Sequence, residues 1–171
     1  MLYLSNPPVT TGDVIVTFGG STDSTVVSAM TLFDTDGGAP VTAVNANGSN
    51  PPSLSVDVPV AIAGSMIVDV IGRGDSSSMS PTQPSQVERY DIAANSSRGA
   101  GSTRPTSATG SHTMGWTTPG ASRAAMIAAV FSPDLIVSST DYVRTTIQSS
   151  GYNTCDVGNP RRVERTLRAT Y

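Results

Sequence analysis

The chain contains a single imidazole, His112, so any Ser–His–Asp relay or histidine-assisted hydrolysis must run through it. It stands in Ser111-His112-Thr113-Met114-Gly115-Trp116, where a period of two puts His112, Met114 and Trp116 on one face and Ser111 on the other. As a general base His112 would therefore act on a water or on another serine. No Gly-x-Ser-x-Gly elbow is present, since Gly64-Ser65 and Gly110-Ser111 lack the second glycine at the right place. The plainer reading of His112 is a core-edge side chain satisfied by one hydrogen bond.

Asp34-x-Asp36-Gly37 sets two carboxylates two positions apart before a glycine, the opening of a tight loop that presents oxygens to a hard cation. With Asp23, or with Asp13 and backbone carbonyls, it forms the candidate calcium site. A full calcium loop needs an acid about twelve residues from the first, whereas Ala39, Pro40 and Val41 follow here and the next acid is Asp57. An Asp-rich β-turn is the competing reading. Trp116, the only tryptophan, can line a sugar-stacking platform with Tyr90 and Tyr3, or fill the core. Arg73-Gly74-Asp75 matches an adhesion tripeptide, but three residues recur by chance. Cys155, the only cysteine, has no internal disulfide partner and no nearby base, so a passive thiol is expected.

These residues sit in a weakly charged chain. Of 171 residues 13% are charged and 5% aromatic, against roughly 25% charged in an ordinary domain, and close to a quarter are Ser or Thr. All ten cations are Arg, and the net charge is −3. Six Asp and no cation fall before Val70; ten Arg face seven acids after it. An acidic first half with no arginine stripe interleaved with aromatics argues against nucleic acid as a partner. The Arg161, Arg162, Arg165 and Arg168 cluster reads as a solvated terminus. No apolar run is long enough to span a membrane, and residues 1–20 show neither the basic nor the apolar region of a signal peptide.

The elements that must position the candidate residues are strands. Asp13–Phe18 and Thr25–Phe33 are β-branched or apolar runs closed by turn residues, and Val41–Val44 is a shorter one before an Asn45–Ser53 loop. Leu54, Val56 and Val58 alternate onto one face, and the turn Ala63-Gly64 leads to Ser65–Ile71 as the expected hairpin partner. Gly72–Ser85 and Asn95–Thr109 carry no alternation and are expected to be mobile loops. Val87–Ile92 and the strand of His112 flank the second loop. Ala124–Phe131 is a helix by its Ala content or a buried strand by its Val and Phe ending; Leu135–Val137 and Tyr142–Ile147 are added strands, with a short helix over Arg161–Ala169.

Five segments, Leu2-Tyr3-Leu4-x-Asn6-Pro7-Pro8, Val14–Phe18, Met66–Val70, Arg98–Thr103 and Ala128–Val130, together resemble a family of bacterial extracellular β-sandwich modules of jelly-roll type, found in long secreted proteins. The resemblance covers residues 1–133 and begins in the middle of the family's domain. It implies an all-β, jelly-roll-like antiparallel sandwich of about eight to ten strands, with Ala124–Phe131 as a strand, incomplete at its N-terminus, with 134–171 as an added extension. By the same resemblance the function is a non-catalytic extracellular accessory module contacting carbohydrate or a cell surface, with open sheet edges available for self-association. In size, lone His and Asp34/Asp36 loop, the chain is also similar to small calcium-dependent acyl-homoserine lactonases from environmental DNA, which implies the alternative of an ester or lactone hydrolase.

Overall fold

The computed structural model describes residues 1–4, 13–20, 24–119, 122–134, 146–152 and 164–170. Among the described residues every regular element is a strand, and no helix is long and apolar enough to cross a membrane. The chain divides into two compact units, Met1–Leu135 and Ile136–Tyr171.

In the first unit two antiparallel sheets form a sandwich. The larger has β1 (Thr42–Gly48), β8 (Ala124–Phe131), β3 (Met66–Arg73), β6 (Ser97–Pro105) and β5 (Val87–Ala94), in that order across the sheet; the smaller has β2 (Ser53–Val60), β7 (Gly110–Thr117) and β4 (Ser80–Pro81). Alternation builds the layer between them, because each strand sends every second side chain inward. Leu54, Val58 and Val60 from β2 and Met114 and Trp116 from β7 meet Ile67 and Ile71 from β3 and Ala124, Met126, Ala128 and Val130 from β8.

The all-β reading and the strand at Ala124–Phe131 hold, and several local expectations are corrected. β2 and β3 do not form a hairpin: β2 pairs with β7, and β3 lies between β6 and β8. Met66-Ile67-Val68-Asp69-Val70-Ile71 is apolar on both faces apart from Asp69, which suits a central strand covered on both sides. The Ala61–Ser65 connection therefore changes sheets, with Gly64 at φ 85° and Ser65 Oγ donating to Ile62 O. The strand expected at Val41–Val44 runs on to Gly48, into the expected loop, because β8 supplies a partner for each added residue.

The expected Asn95–Thr109 loop is largely β6, a central strand. Its Gly and Ser content hides it, since these residues have poor strand propensity, yet small size is what the position demands. A Cβ on Gly101 would lie 2.6 Å from Tyr90 Cε1 and 3.0 Å from Asp69 O, and one on Gly99 would lie 2.8 Å from Val26 Cγ1. A tight turn at Asn95, with φ 50°, joins β5 to β6; asparagine tolerates that left-handed conformation.

Thr25–Phe33 and Asp13–Phe18 are not strands. Val26 rests on Gly99, and Ser97 Oγ donates to Ser24 Oγ at 2.7 Å, so residues 24–33 lie across the outer face of the larger sheet. A chain on a sheet's face meets side chains rather than the N–H and C=O groups of an edge, and no ladder forms. Val14 and Ile15 stay exposed, Ile15 at 82%.

The second unit is a two-stranded antiparallel sheet of β9 (Thr146–Tyr152) and β10 (Glu164–Thr170), with Glu164 opposite Tyr152 and Thr170 opposite Thr146. The helix expected over Arg161–Ala169 is thus a strand from Glu164. A helix that short is marginal alone, and β9 offers a hydrogen-bonding edge. Leu135–Val137 lies outside the described residues, as do positions 142–145 of the strand expected over Tyr142–Ile147, whose last two residues open β9.

Gly101→Ala should lower stability by about 1–3 kcal/mol, as over-packing against backbone and a ring does. Gly72→Ala, whose Cβ meets nothing within 4 Å, should change it by less than about 1 kcal/mol. Denaturant midpoints of the two variants check this; equal midpoints would contradict the packing described for β6.

Candidate functional site

β7 does carry His112, Met114 and Trp116 on one face, registered opposite Val58, Val56 and Leu54 of β2. Trp116 and Met114 are fully buried. His112 lies further along, half-buried at the rim, with its Nε2 3.0 Å from Ala108 O. No carboxylate bonds its other nitrogen among the described residues. The proposed stacking platform is not assembled, because Trp116 is 0% exposed and its ring has no free face. Tyr90 stands on the opposite, outer side of the larger sheet against Gly101, where burial pushes its phenol pKa up and Ser28 shares a hydrogen bond with it. Tyr3 is exposed.

Asp34 and Asp36 flank an isolated bridge between Thr35 and Pro133. Asp134 N donates to Asp34 O at 2.9 Å and Asp36 N to Ser132 O at 3.2 Å, so this turn is tied to the chain following β8. Asp36 Oδ1 accepts Gly38 N at 3.0 Å, the geometry of an Asx turn. Asp23 lies outside the described residues, as does Cys155. Among the described residues no three His, Cys, Asp or Glu side chains converge on a point that suits a metal ion.

Two polar clusters were not singled out as sites from the sequence. The first centres on Asp69, fully buried on the inward face of β3. Ser102 N and Oγ donate to its Oδ1 at 2.8 and 2.6 Å, and Trp116 Nε1 and Gln86 Nε2 to its Oδ2 at 2.9 and 3.1 Å. Gln86 closes the network by accepting Gly115 N on Oε1 and donating to Ser102 Oγ. Among the described residues no cation bonds Asp69: four donors do the work of a counter-ion. Burial raises its pKa, opposed by the bonds from Ser102 and Trp116. A lone acid inside an apolar run, in a chain with one tryptophan, is the signal that could have found it.

The second cluster closes one end of the sandwich. Arg98 donates from Nε and Nη2 to the two carboxylate oxygens of Asp91, and from Nη1 to Ser76 O. Arg73 Nη2 donates to Asp75 Oδ2 at 2.6 Å. The Arg73-Gly74-Asp75 tripeptide is therefore folded on itself, with its guanidinium buried rather than displayed.

An apolar cleft of 420 Å³ opens on the outer face of the larger sheet, between Met30, Thr31, Leu32, Phe33 and Thr35 on one side and Met66, Arg89 and Thr103 on the other. Arg89 is held over it by a 2.7 Å bond from Nε to Thr103 Oγ1, and Phe33 stands at 81% exposure.

Asp69→Ala would strand the Trp116, Ser102 and Gln86 donors in a dry core and should cost on the order of 3 kcal/mol or more. Since the folded pKa of Asp69 is raised, its contribution is fullest below the unfolded carboxylate value and is lost as pH rises through the folded one. The stability of the wild type relative to Asp69→Asn should therefore fall across that window, above about pH 4, and denaturation at stepped pH tests the sign. His112→Ala should cost about 0.5–1.5 kcal/mol, one rim hydrogen bond, read as a midpoint shift. No protein-family model, curated protein or solved structure matches this chain, so its function is read from the geometry above.

Proposed function

We propose that the Met1–Leu135 unit is a non-catalytic binding module of extracellular type that contacts carbohydrate or another cell-surface ligand through the cleft between residues 30–35 and the outer face of the larger sheet. One observation carries this reading. Phe33 and Met30 stay exposed around an apolar cleft while Arg89 holds a cation over it, and exposed apolar surface rimmed by polar groups marks interaction sites. An exposed aromatic ring beside a guanidinium suits a sugar with one apolar face and hydroxyl or carboxylate substituents.

The alternative, a calcium-dependent ester or lactone hydrolase such as an N-acyl-homoserine lactonase, needs a cation near Asp34 and Asp36 and a base at His112. The residues fit it less well. Asp36 already caps its own turn, no third carboxylate converges there among the described residues, and His112 spends its Nε2 on a backbone carbonyl.

A polysaccharide-binding screen on the full chain, repeated with Phe33→Ala and Arg89→Ala, tests the binding reading. Each substitution should weaken any binding by about tenfold or more, the loss expected when one central contact is truncated. A blank screen together with calcium-dependent, chelator-sensitive turnover of acyl esters or lactones would replace it with the hydrolase.

A further inference from the structure

β3 opens at Met66 beside the cleft and closes at Arg73, at the far end of the sandwich. Arg73 follows Ile67, Asp69 and Ile71 on the inward face, and its directly opposite neighbours are Arg98 on β6 and Ala124 on β8. Arg123 precedes Ala124 and is exposed, and its carbonyl accepts Gly74 N at 3.1 Å. Arg73 and Arg98 thus stand opposite one another at one end of neighbouring strands, with Arg123 just before the third, although like charges directly opposite across a sheet repel.

Asp91 offsets Arg98 completely, taking two of its prongs. Arg73 is served differently. Its side chain is 1% exposed, and among the described residues only Nη2 has a partner, Nε and Nη1 being buried without one. A charged N–H left unpaired in a dry interior is costly, and a guanidinium fork is shaped for an anion that presents two oxygens. Asp75 supplies one: its Oδ2 meets Nη2, while Oδ1 turns back to Ser77 N. Asp75 belongs to the exposed Gly74-Asp75-Ser76-Ser77-Ser78 loop and is itself 30% exposed.

We propose that Arg73 is the buried anchor of an oxyanion-binding site, and that Asp75 is a resident substitute whose carboxylate is exchanged for the sulfate, phosphate or carboxylate of a ligand when the Gly74–Ser78 loop lifts. The incoming oxygens take the Nε and Nη1 donors that Asp75 leaves unused, and Arg123 adds positive charge at the entrance. The site lies on the other side of the sheet from the cleft and at the opposite end of β3, and it does not depend on what the cleft binds.

The test uses the full chain with Asp75→Ala, titrated with sodium sulfate against sodium chloride at matched ionic strength. Removing the internal competitor should tighten sulfate binding by about tenfold or more, and the Arg73 Nε–H resonance should move saturably with sulfate. Adding Arg73→Gln should abolish the binding; if that double variant does not fold, the Arg73 resonance in Asp75→Ala decides alone. A sulfated or uronic oligosaccharide binding more tightly than the free anion identifies a polymer as the source, and equal affinity identifies a small anion. No saturable sulfate binding in Asp75→Ala, affinity equal to that of the wild type, or a stationary Arg73 resonance would overturn the proposal.

Discussion

A fully buried carboxylate held by four neutral donors is the constraint around which this sandwich is arranged. Asp69 comes from the middle of the larger sheet, and its acceptors are filled from three directions: Ser102 on the neighbouring strand, Trp116 on the facing sheet and Gln86 before β5. Each partner is fixed by another demand. Trp116 fills the core opposite Leu54, Ser102 must be small and polar on a central strand, and Gln86 has to span Asp69 and Gly115 at once. The network couples the two sheets in register as well as in distance, because a one-residue slip of β7 would turn the indole outward and leave the acid unpaired. A purely apolar interface would tolerate more sliding. Here the polar groups specify one alignment.

The two faces of the larger sheet solve different problems. Inside, bulk is supplied by its own Ile, Val and Met side chains and by Trp116 of the facing sheet. Outside, β6 is pared down to glycine where Tyr90 and the 24–33 segment cross it, so a chain with no ladder bonds of its own still gains a seat on the sheet. The cleft lies at the end of that seat, and its wall is a strap of chain rather than a strand. Such a wall moves more readily than a laddered one, which suits a binding surface better than a reaction centre that must hold groups within fractions of an ångström.

Legibility from sequence followed a physical rule. Leu54–Val58 was readable because one face carries apolar side chains at the strand period, whereas Ala124–Phe131, rich in Ala, suits helix or strand by composition and only the resemblance to β-sandwich modules favoured strand. β6 was not, since its glycines answer to neighbours far away in the chain, and no local pattern reports on Tyr90 or Val26. Asp13–Phe18 failed in the other direction: its composition is that of a strand, but strand formation also needs an open edge, which composition cannot supply. Among the candidate residues, the shared face of His112, Met114 and Trp116 followed from period two alone, whereas the burial of Trp116 depended on a partner acid on another sheet. Asp69 stood in plain view as a lone acid in an apolar run. What could not be read was that four donors from scattered positions would gather around it. The Arg73-Gly74-Asp75 tripeptide looked like a surface motif because its loop is polar, yet the strand before it carries the arginine into the interior.

The change of sheet at Ala61–Ser65 has a consequence for how the protein reaches this state. By sending β2 and β3 to different layers, it removes the one short-range hairpin that the first half of the unit offered. β1 then waits for β8, as Thr42 pairs with Val130, and β2 waits for β7. The tight β5–β6 hairpin is the most local pairing available, and β3 can join it soon after. β2 must remain unpaired until the chain has emerged beyond Thr117, and β1 until it has emerged beyond Val130. A topology with so many distant pairings folds slowly and leaves strand edges uncovered meanwhile. During synthesis the first half of this chain is therefore a client for whatever keeps nascent β-strands apart, and it becomes a finished surface only when β8 slots between β1 and β3.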